Sequence, residues 1–583
     1  IIPYFHWPFK KFCRVALNNN LSAQIMYVEQ TTYIICLLGV REMNFSLTNV
    51  KKIKLIIIIG GFLILGAIVF SIIQSHLPVD PYIKEIKMNY SCGMTSEQRE
   101  KDFNNLSDYI NKNVPFIKDY EELYNIDFHE VQKYYLELAK NAKDDYEYYT
   151  YVAGYLRNIP SGHMEIGFPD IDGINKMYAS QYGMYPGFPE ACDYWNNVLL
   201  SESKKYYNTS PIIKSFKYIS GEYQLEKDES NKDNYEAVKL ISIDNIEIDE
   251  FIKIHPFISK LRYDHVKNKP YRDYVYFNNI YGTPCIIKYK DENGVLISEN
   301  MYYSTKSFAV INMDYYKEGK DTSEKKEEKN LDYNAQEIRS NNIYAYKNKD
   351  KNFIYIMFND FILGSSECIK LLDNADIPDN IIIDLRYNQG GYADAPIALT
   401  EKLITKNIEI NEVLYRTDFG EITDLTLCDG RLMYKQTENI NIHGKSQKEY
   451  NIYVLVSNYT LSAADNFASI IKNNNLGTII GDNNTCGEAY GSPDLKVLET
   501  SGIYFYYTPI KWINKDGTDN SAYGTKPDLY FEYDSKYLET LNSIYLSGEA
   551  IFTYESRLQY DNVLIETLEI IKEKGNAEWP TTA

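Results

Sequence analysis

Ser462 stands where a hydroxyl can become a nucleophile. The apolar run 452–456 leads into a polar turn, and Ser462 then precedes Ala463, Ala464, Phe467, Ile470 and Ile471, which recur at helical spacing. A helix N-terminus presents free amides and partial positive charge. A serine there can attack a carbonyl carbon while neighbouring amides hold the oxyanion that forms. Serine is also a common N-cap, which needs no chemistry. A second loop, "DLRYNQGGYADAP", follows the apolar run 381–383 and holds Gly390 and Gly391. Paired glycines let backbone amides approach a ligand closely, or simply make a tight turn. His163 sits just past a helical stretch that ends at Pro160-Ser161-Gly162. Neutral imidazole suits general-base work near neutral pH, although an ordinary loop histidine is the bland alternative.

The combination carries more than its parts. In chain order the sequence reads "SGH" at 161–163, "DLRYNQGG" at 384–391, "SAAD" at 462–465, "GDNNTCG" at 481–487 and "YGTKPDL" at 523–529. This order resembles the tail-specific protease family: C-terminal-processing serine peptidases, tricorn-like peptidases and retinoid-binding relatives. The resemblance is clearest over residues 341–533 and looser over 95–168. It implies a crotonase-like α/β spiral core, and a degenerate PDZ-like module in the strand-rich region around 242–252. It implies Ser462 as nucleophile, with the amides of Ala463 and of Gly390 or Gly391 as oxyanion hole. The processing branch takes its base from a lysine in a G-K-G motif. Here that place reads "CGEAYG", with Gly487 and Glu488 and no lysine. Lys472 lies about three helical turns past Ser462, roughly 15 Å along the axis and too far for proton transfer. The tricorn-like branch takes a histidine from the N-terminal region, a position that His163 matches. Its orienting glutamate falls near Ser521 here, with Asp519 the closest carboxylate. Ser161, Asp519, Ser521 and Glu488 are therefore the candidates for orienting the base. No metal and no cofactor is implied.

These residues need elements to position them. Residues 353–358, 380–384, 452–456 and 478–481 are short, nearly continuous apolar runs, as expected of strands buried on both faces. Helical stretches at 393–405 and 463–474 lie between them. The pattern predicts an α/β domain with a largely parallel sheet, and chemistry at the carboxyl ends of its strands. The expected organisation is a cytoplasmic N-terminus over 1–54, an anchor over 55–73, and a helical domain carrying His163 over 80–205. A PDZ-like region over 206–313, a charged linker over 314–340, the catalytic core over 341–545 and an extension over 546–583 follow. Thr95 with Gln98 reads as a capping box, and Asn293-Gly294 as a hairpin turn.

Residues 55–73 are uncharged and mostly Ile, Leu, Gly and Phe; as a helix they span about 28 Å, close to the hydrocarbon thickness. Lys51, Lys52 and Lys54 precede them, so the positive-inside rule predicts one pass with the remainder outside the cytoplasm. "MNFSLTNVKKIK" from Met43 reads as a natural start, and residues 1–42 as over-extended translation. With 81 acidic against 61 basic side chains the formal charge is -20, which argues against a nucleic-acid partner. The eight cysteines form no C-x-x-C pair and the seven histidines no H-E-x-x-H, so neither a zinc framework nor a dense disulfide scaffold is expected. The expected activity is that of an extracytoplasmic serine peptidase acting on peptides or unfolded protein. The alternative is a catalytically silent peptide- or ligand-binding protein on the same scaffold. An acyl-CoA enzyme fits export poorly, because CoA is cytoplasmic.

Overall fold

The apolar runs lie side by side as neighbouring strands. In this computed structural model the described residues are 93–574, apart from 168, 170–187, 208–213, 226–237, 256–258, 279–281, 304–330, 419, 535–536 and 538–552. The proposed start at Met43, the anchor at 55–73 and most of the charged linker fall outside them. Among the described residues no helix is long and apolar enough to cross a membrane.

A seven-stranded sheet runs in the order Glu337–Arg339, Ile343–Asn348, Phe353–Phe358, Asn380–Asp384, Asn451–Val456, Gly477–Gly481, Leu529–Tyr530. From Phe353–Phe358 onward every neighbour is parallel; the first two strands add on antiparallel. Ile381 lies opposite Ile354 and Ile452, and Ile383 opposite Ile356 and Val454. Because side chains alternate between faces, these residues share one face. That face is covered by the helices Leu363–Asn374, Ala395–Leu403 and Ala463–Asn473. The intervening Tyr355, Ile382, Tyr453 and Leu455 pack on the other face with Val563, Leu564 and Leu568 of the helix Asn562–Lys574. Cover on both faces explains why the strands read as unbroken apolar runs. Parallel pairing also aligns their carboxyl ends, so the loops leaving Asp384, Val456 and Gly481 meet at one edge.

The C-terminal segment ties itself to that edge through charge. Arg386 donates to Asp384 at 2.7 and 3.0 Å and to Asp561 at 2.6 and 2.9 Å. Arg557 adds a bond to Asp561 at 3.0 Å, and all four side chains are buried. Burial alone would push both carboxyls up, but the Arg386 and Arg557 guanidinia override it and hold them below the ordinary carboxylate range. A depressed folded pKa contributes stability that is present above the unfolded value, about 3.9 for Asp, and is lost as pH falls through the folded value. Asp561→Ala leaves two guanidinia underpaired in the interior and should cost about 3–5 kcal/mol in denaturant unfolding. A change below about 1 kcal/mol would show that the network is dispensable.

The N-terminal part begins with the capping box, in which Thr95 and Gln98 exchange hydrogen bonds at the start of Ser96–Asn113. Asp127 and Asp144 cap Phe128–Lys140 and Asp145–Arg157. The strand-rich region forms a second seven-stranded sheet between Lys214 and Tyr303, closed by the hairpin at Gly294 (φ 76°). Asp244 and Asn245, both at positive φ, turn one of its strands toward the short helix Ile248–Ile254. Helices and strands here share one core: Phe103, Tyr135 and Leu156 belong with Phe216, Phe251, Ile287 and Phe505. The helix Asp145–Arg157 thereby brings the turn carrying His163 toward the sheet's carboxyl edge.

Candidate active site

Ser462 leaves the strand Asn451–Val456 through a turn stitched to its neighbours. Thr460 Oγ1 donates to the Leu385 carbonyl at 2.8 Å, and the Leu461 amide to the Asn388 carbonyl at 3.2 Å. The Ser462 amide donates to the Gly487 carbonyl at 3.1 Å. Held this way, Ser462 adopts φ 58° and ψ -124°, a sparsely populated conformation for a residue with a side chain. Such strain costs about 1–3 kcal/mol and persists only where the surroundings impose it. Ser462 occupies the N-cap position of Ala463–Asn473, yet its hydroxyl makes no capping bond. The bland use of serine at a helix start therefore does not account for it. Asp465, the fourth residue of "SAAD", is buried and accepts from Thr485 Oγ1 at 2.5 Å and Asn520 Nδ2 at 2.9 Å.

The glycine loop lies directly against this serine. A Cβ on Gly390 would meet the Ala463 nitrogen, the Leu461 carbonyl oxygen and Ser462 Cβ, each at 2.8 Å. One on Gly391 would meet the Phe361 carbonyl carbon at 2.7 Å. Both residues also sit at positive φ, 97° and 154°. Asn388 Oδ1 accepts the Gly390 amide at 2.9 Å, while Asn388 Nδ2 donates to the Phe358 carbonyl. The Gly390 amide is thus engaged by Asn388, whereas no hydrogen bond from the Gly391 or Ala463 amide is found among the described residues. Gly390→Val and Gly391→Val should each lower kcat/KM about 100- to 1000-fold, the usual loss for one oxyanion donor. Full peptide hydrolysis in both variants would remove the loop from the site.

His163 is gripped by Glu488. The carboxylate bonds His163 Nδ1, accepts the His163 amide at 3.0 Å, and accepts the Ser161 hydroxyl. Thr508 Oγ1 lies 3.2 Å from the same ring nitrogen and 3.4 Å from Glu488. A carboxylate at Nδ1 assigns the proton to that nitrogen and leaves Nε2 as the acceptor. Glu488 itself sits at φ 60° and is only 1% exposed. Burial would raise its carboxyl, but His163 and the Ser161 hydroxyl outweigh it and hold the group below its ordinary value. Gly162 packs on Leu461, the residue before Ser462: a Cβ on it would meet Leu461 Cδ1 at 2.3 Å. Lys260 fastens the same turn by donating to the Gly162 carbonyl at 2.9 Å and the Ser161 carbonyl at 3.3 Å. No hydrogen bond joins His163 to Ser462 here; such bonds often tighten only around substrate.

Of the four candidates for orienting the base, Glu488 and Ser161 gather at His163. Asp519 instead caps the short helix Asn520–Tyr523 through the Ser521 amide, and burial pushes its carboxyl up. The Ser521 carbonyl accepts from Tyr120. Lys472 pairs with Asp528. Thr508, Asn388 and Lys260 were not singled out from sequence. Only Asn388 carried a signal, as the N of D-L-R-x-N-x-G-G. Among the described residues no group of three His, Cys, Asp or Glu side chains is arranged to hold a metal ion.

Residues 352–531 match the family described as Peptidase family S41. A probable CtpA-like serine protease of Staphylococcus aureus (strain N315) is 26% identical over 221 residues, which is 37% of this chain. The match spans 40% of that relative's length. Among solved structures, mature CPAF aligns over 79% of this chain and 99% of its own, at 11% identity and a TM-score of 0.43. The photosystem II D1 C-terminal processing protease aligns over 75% and 94%, at 10% identity and a TM-score of 0.31. The match to Peptidase family S41 takes in Gly390, Gly391, Ser462, Ala463 and Glu488, while His163 lies outside the matched residues.

Proposed function

We propose that this protein is a membrane-anchored serine peptidase working outside the cytoplasm, with Ser462 as nucleophile and His163 as general base. Ser462 Oγ attacks the scissile carbonyl as its proton passes to His163 Nε2. The oxyanion rests on the Gly391 and Ala463 amides. The imidazolium then gives its proton to the leaving amine, and the C–N bond breaks to leave an acyl-enzyme. Water, deprotonated by the same imidazole, releases the product acid. Glu488, with Ser161 behind it, holds the ring and stabilises the imidazolium. On this reading the base follows the tricorn-like pattern. Glu488 stands where processing peptidases carry lysine, and serves a histidine instead.

The observation that carries the reading is the strained Ser462, whose hydroxyl caps nothing while the glycine loop presses against its Cβ. Strain of this kind gathers at functional sites. The sheet of 337–530 is read as a crotonase-like core and the strands of 214–303 as a PDZ-like insert that holds substrate. Substrates are peptides or unfolded protein. The test is hydrolysis of an unfolded protein by the purified chain, beside Ser462→Ala. Cleavage by the parent alone supports the peptidase; cleavage by neither favours a silent binding protein. For topology, protease added to intact cells should digest the region after Leu77; protection beside a digested surface control would contradict export.

A further inference from the structure

A cavity of about 320 Å³ opens beside the reacting centre. Its wall includes Gly162, Gln389, Leu461 and Cys486. Each stands immediately before a residue of the centre: His163, Gly390, Ser462, and Gly487, whose carbonyl holds the Ser462 amide. The cavity therefore borders the segments that carry the reacting centre, within reach of a side chain of a substrate held at Ser462. The charged wall is uneven, with Arg157, Lys260 and Arg262 against Glu165 alone. Arg262 spends its charge on Asp273 at 3.0 Å, and Arg157 interacts with Glu165. Glu488 lies behind Ser161 and is committed to His163. Lys260 differs: its ammonium bonds two carbonyls and makes no ion pair among the described residues. An ammonium has three donors, so a carboxylate entering the cavity would find both a free N–H and an uncompensated charge.

We propose that this cavity is a subsite for an acidic side chain of the substrate, Asp or Glu close to the scissile bond, with Lys260 as the specificity-determining residue. The proposal rests on the peptidase reading for the direction of the substrate, but it is tested by binding and needs no turnover. Octapeptides blocked at both ends, carrying Glu or Gln at one fixed position, are titrated against the full chain bearing Ser462→Ala. At one position Glu should bind about tenfold tighter than Gln, the scale of a charge-assisted hydrogen bond. Adding Lys260→Met should bring the Glu-to-Gln ratio to about one. Lys260→Arg should keep the preference, and Lys260→Glu should turn it toward Lys-bearing peptides. Unblocked peptides with a free C-terminal carboxylate form a second arm. A Lys260-dependent preference seen only there would assign the cavity to a chain end and overturn the proposal. A Glu preference that survives Lys260→Met, no Glu preference at any position, or no binding of any peptide would also overturn it. Failure of the parent chain to hydrolyse peptides would sink the peptidase reading while leaving these binding ratios to be judged on their own.

Discussion

Replacing Glu488 with glutamine should lower kcat by about ten-thousandfold while the chain still folds, the loss expected when a catalytic imidazole is held in the wrong tautomer. Glutamine keeps the volume, so the tightly packed wall around residue 488 changes little. It no longer draws the proton to Nδ1. An amide nitrogen turned toward that ring nitrogen would favour the proton on Nε2, where it blocks the step from Ser462. The lost negative charge also removes support for the imidazolium. Because the Glu488 carboxyl is held below its ordinary value, its support is present above the carboxylate range and is lost only as pH falls through that depressed value. The check is steady-state kinetics beside a thermal melt. A loss below about tenfold with an unchanged melt would show that Glu488 is a structural partner of Ser161 and no more.

The largest effect belongs to the nucleophile. Ser462→Ala should cost on the order of a millionfold in kcat, and His163→Ala nearly as much. The double variant should be no worse than either single one, because nucleophile and base act as a unit and neither works alone. Multiplying losses would mean independent roles. The fold should survive Ser462→Ala, since that hydroxyl caps nothing and the main chain makes the bonds that hold the turn. The change also leaves the positive φ in place, so no gain in stability is expected from relieved strain.

The strands of the catalytic sheet were legible because burial on both faces leaves an unbroken apolar run, as in Asn380–Asp384 and Asn451–Val456. The antiparallel ribbon Ile408–Arg416 with Arg431–Ile442 was not singled out. One face of it is wet, so polar residues interrupt the pattern, as in "KQTENINI". The expected extension at 546–583 carries Asp561, which grips Arg386 across 175 positions of chain. No local pattern reports a pairing at that range. At the site, Ser462, the two glycines and His163 stood out by motif, while the orienting group was one of four. The choice among those four depends on Gly487 and Glu488 both taking positive φ, which swings the Glu488 carboxylate onto His163. Gly487 has no room for a Cβ, which would meet the Asn520 carbonyl oxygen at 2.2 Å. Lys260 lay unremarked, because its role depends on a loop that packs against the "SGH" turn only in three dimensions.

The most direct measurement is the site of covalent capture by a fluorophosphonate, mapped by peptide mass spectrometry on the purified full chain. Only a serine activated by a base and facing an oxyanion hole reacts quickly with such a reagent. A single adduct is expected, on Ser462, formed rapidly in the parent chain and nearly abolished in His163→Ala. An unlabelled Ser462 beside a labelled control hydrolase, or equally fast labelling in His163→Ala, would contradict it.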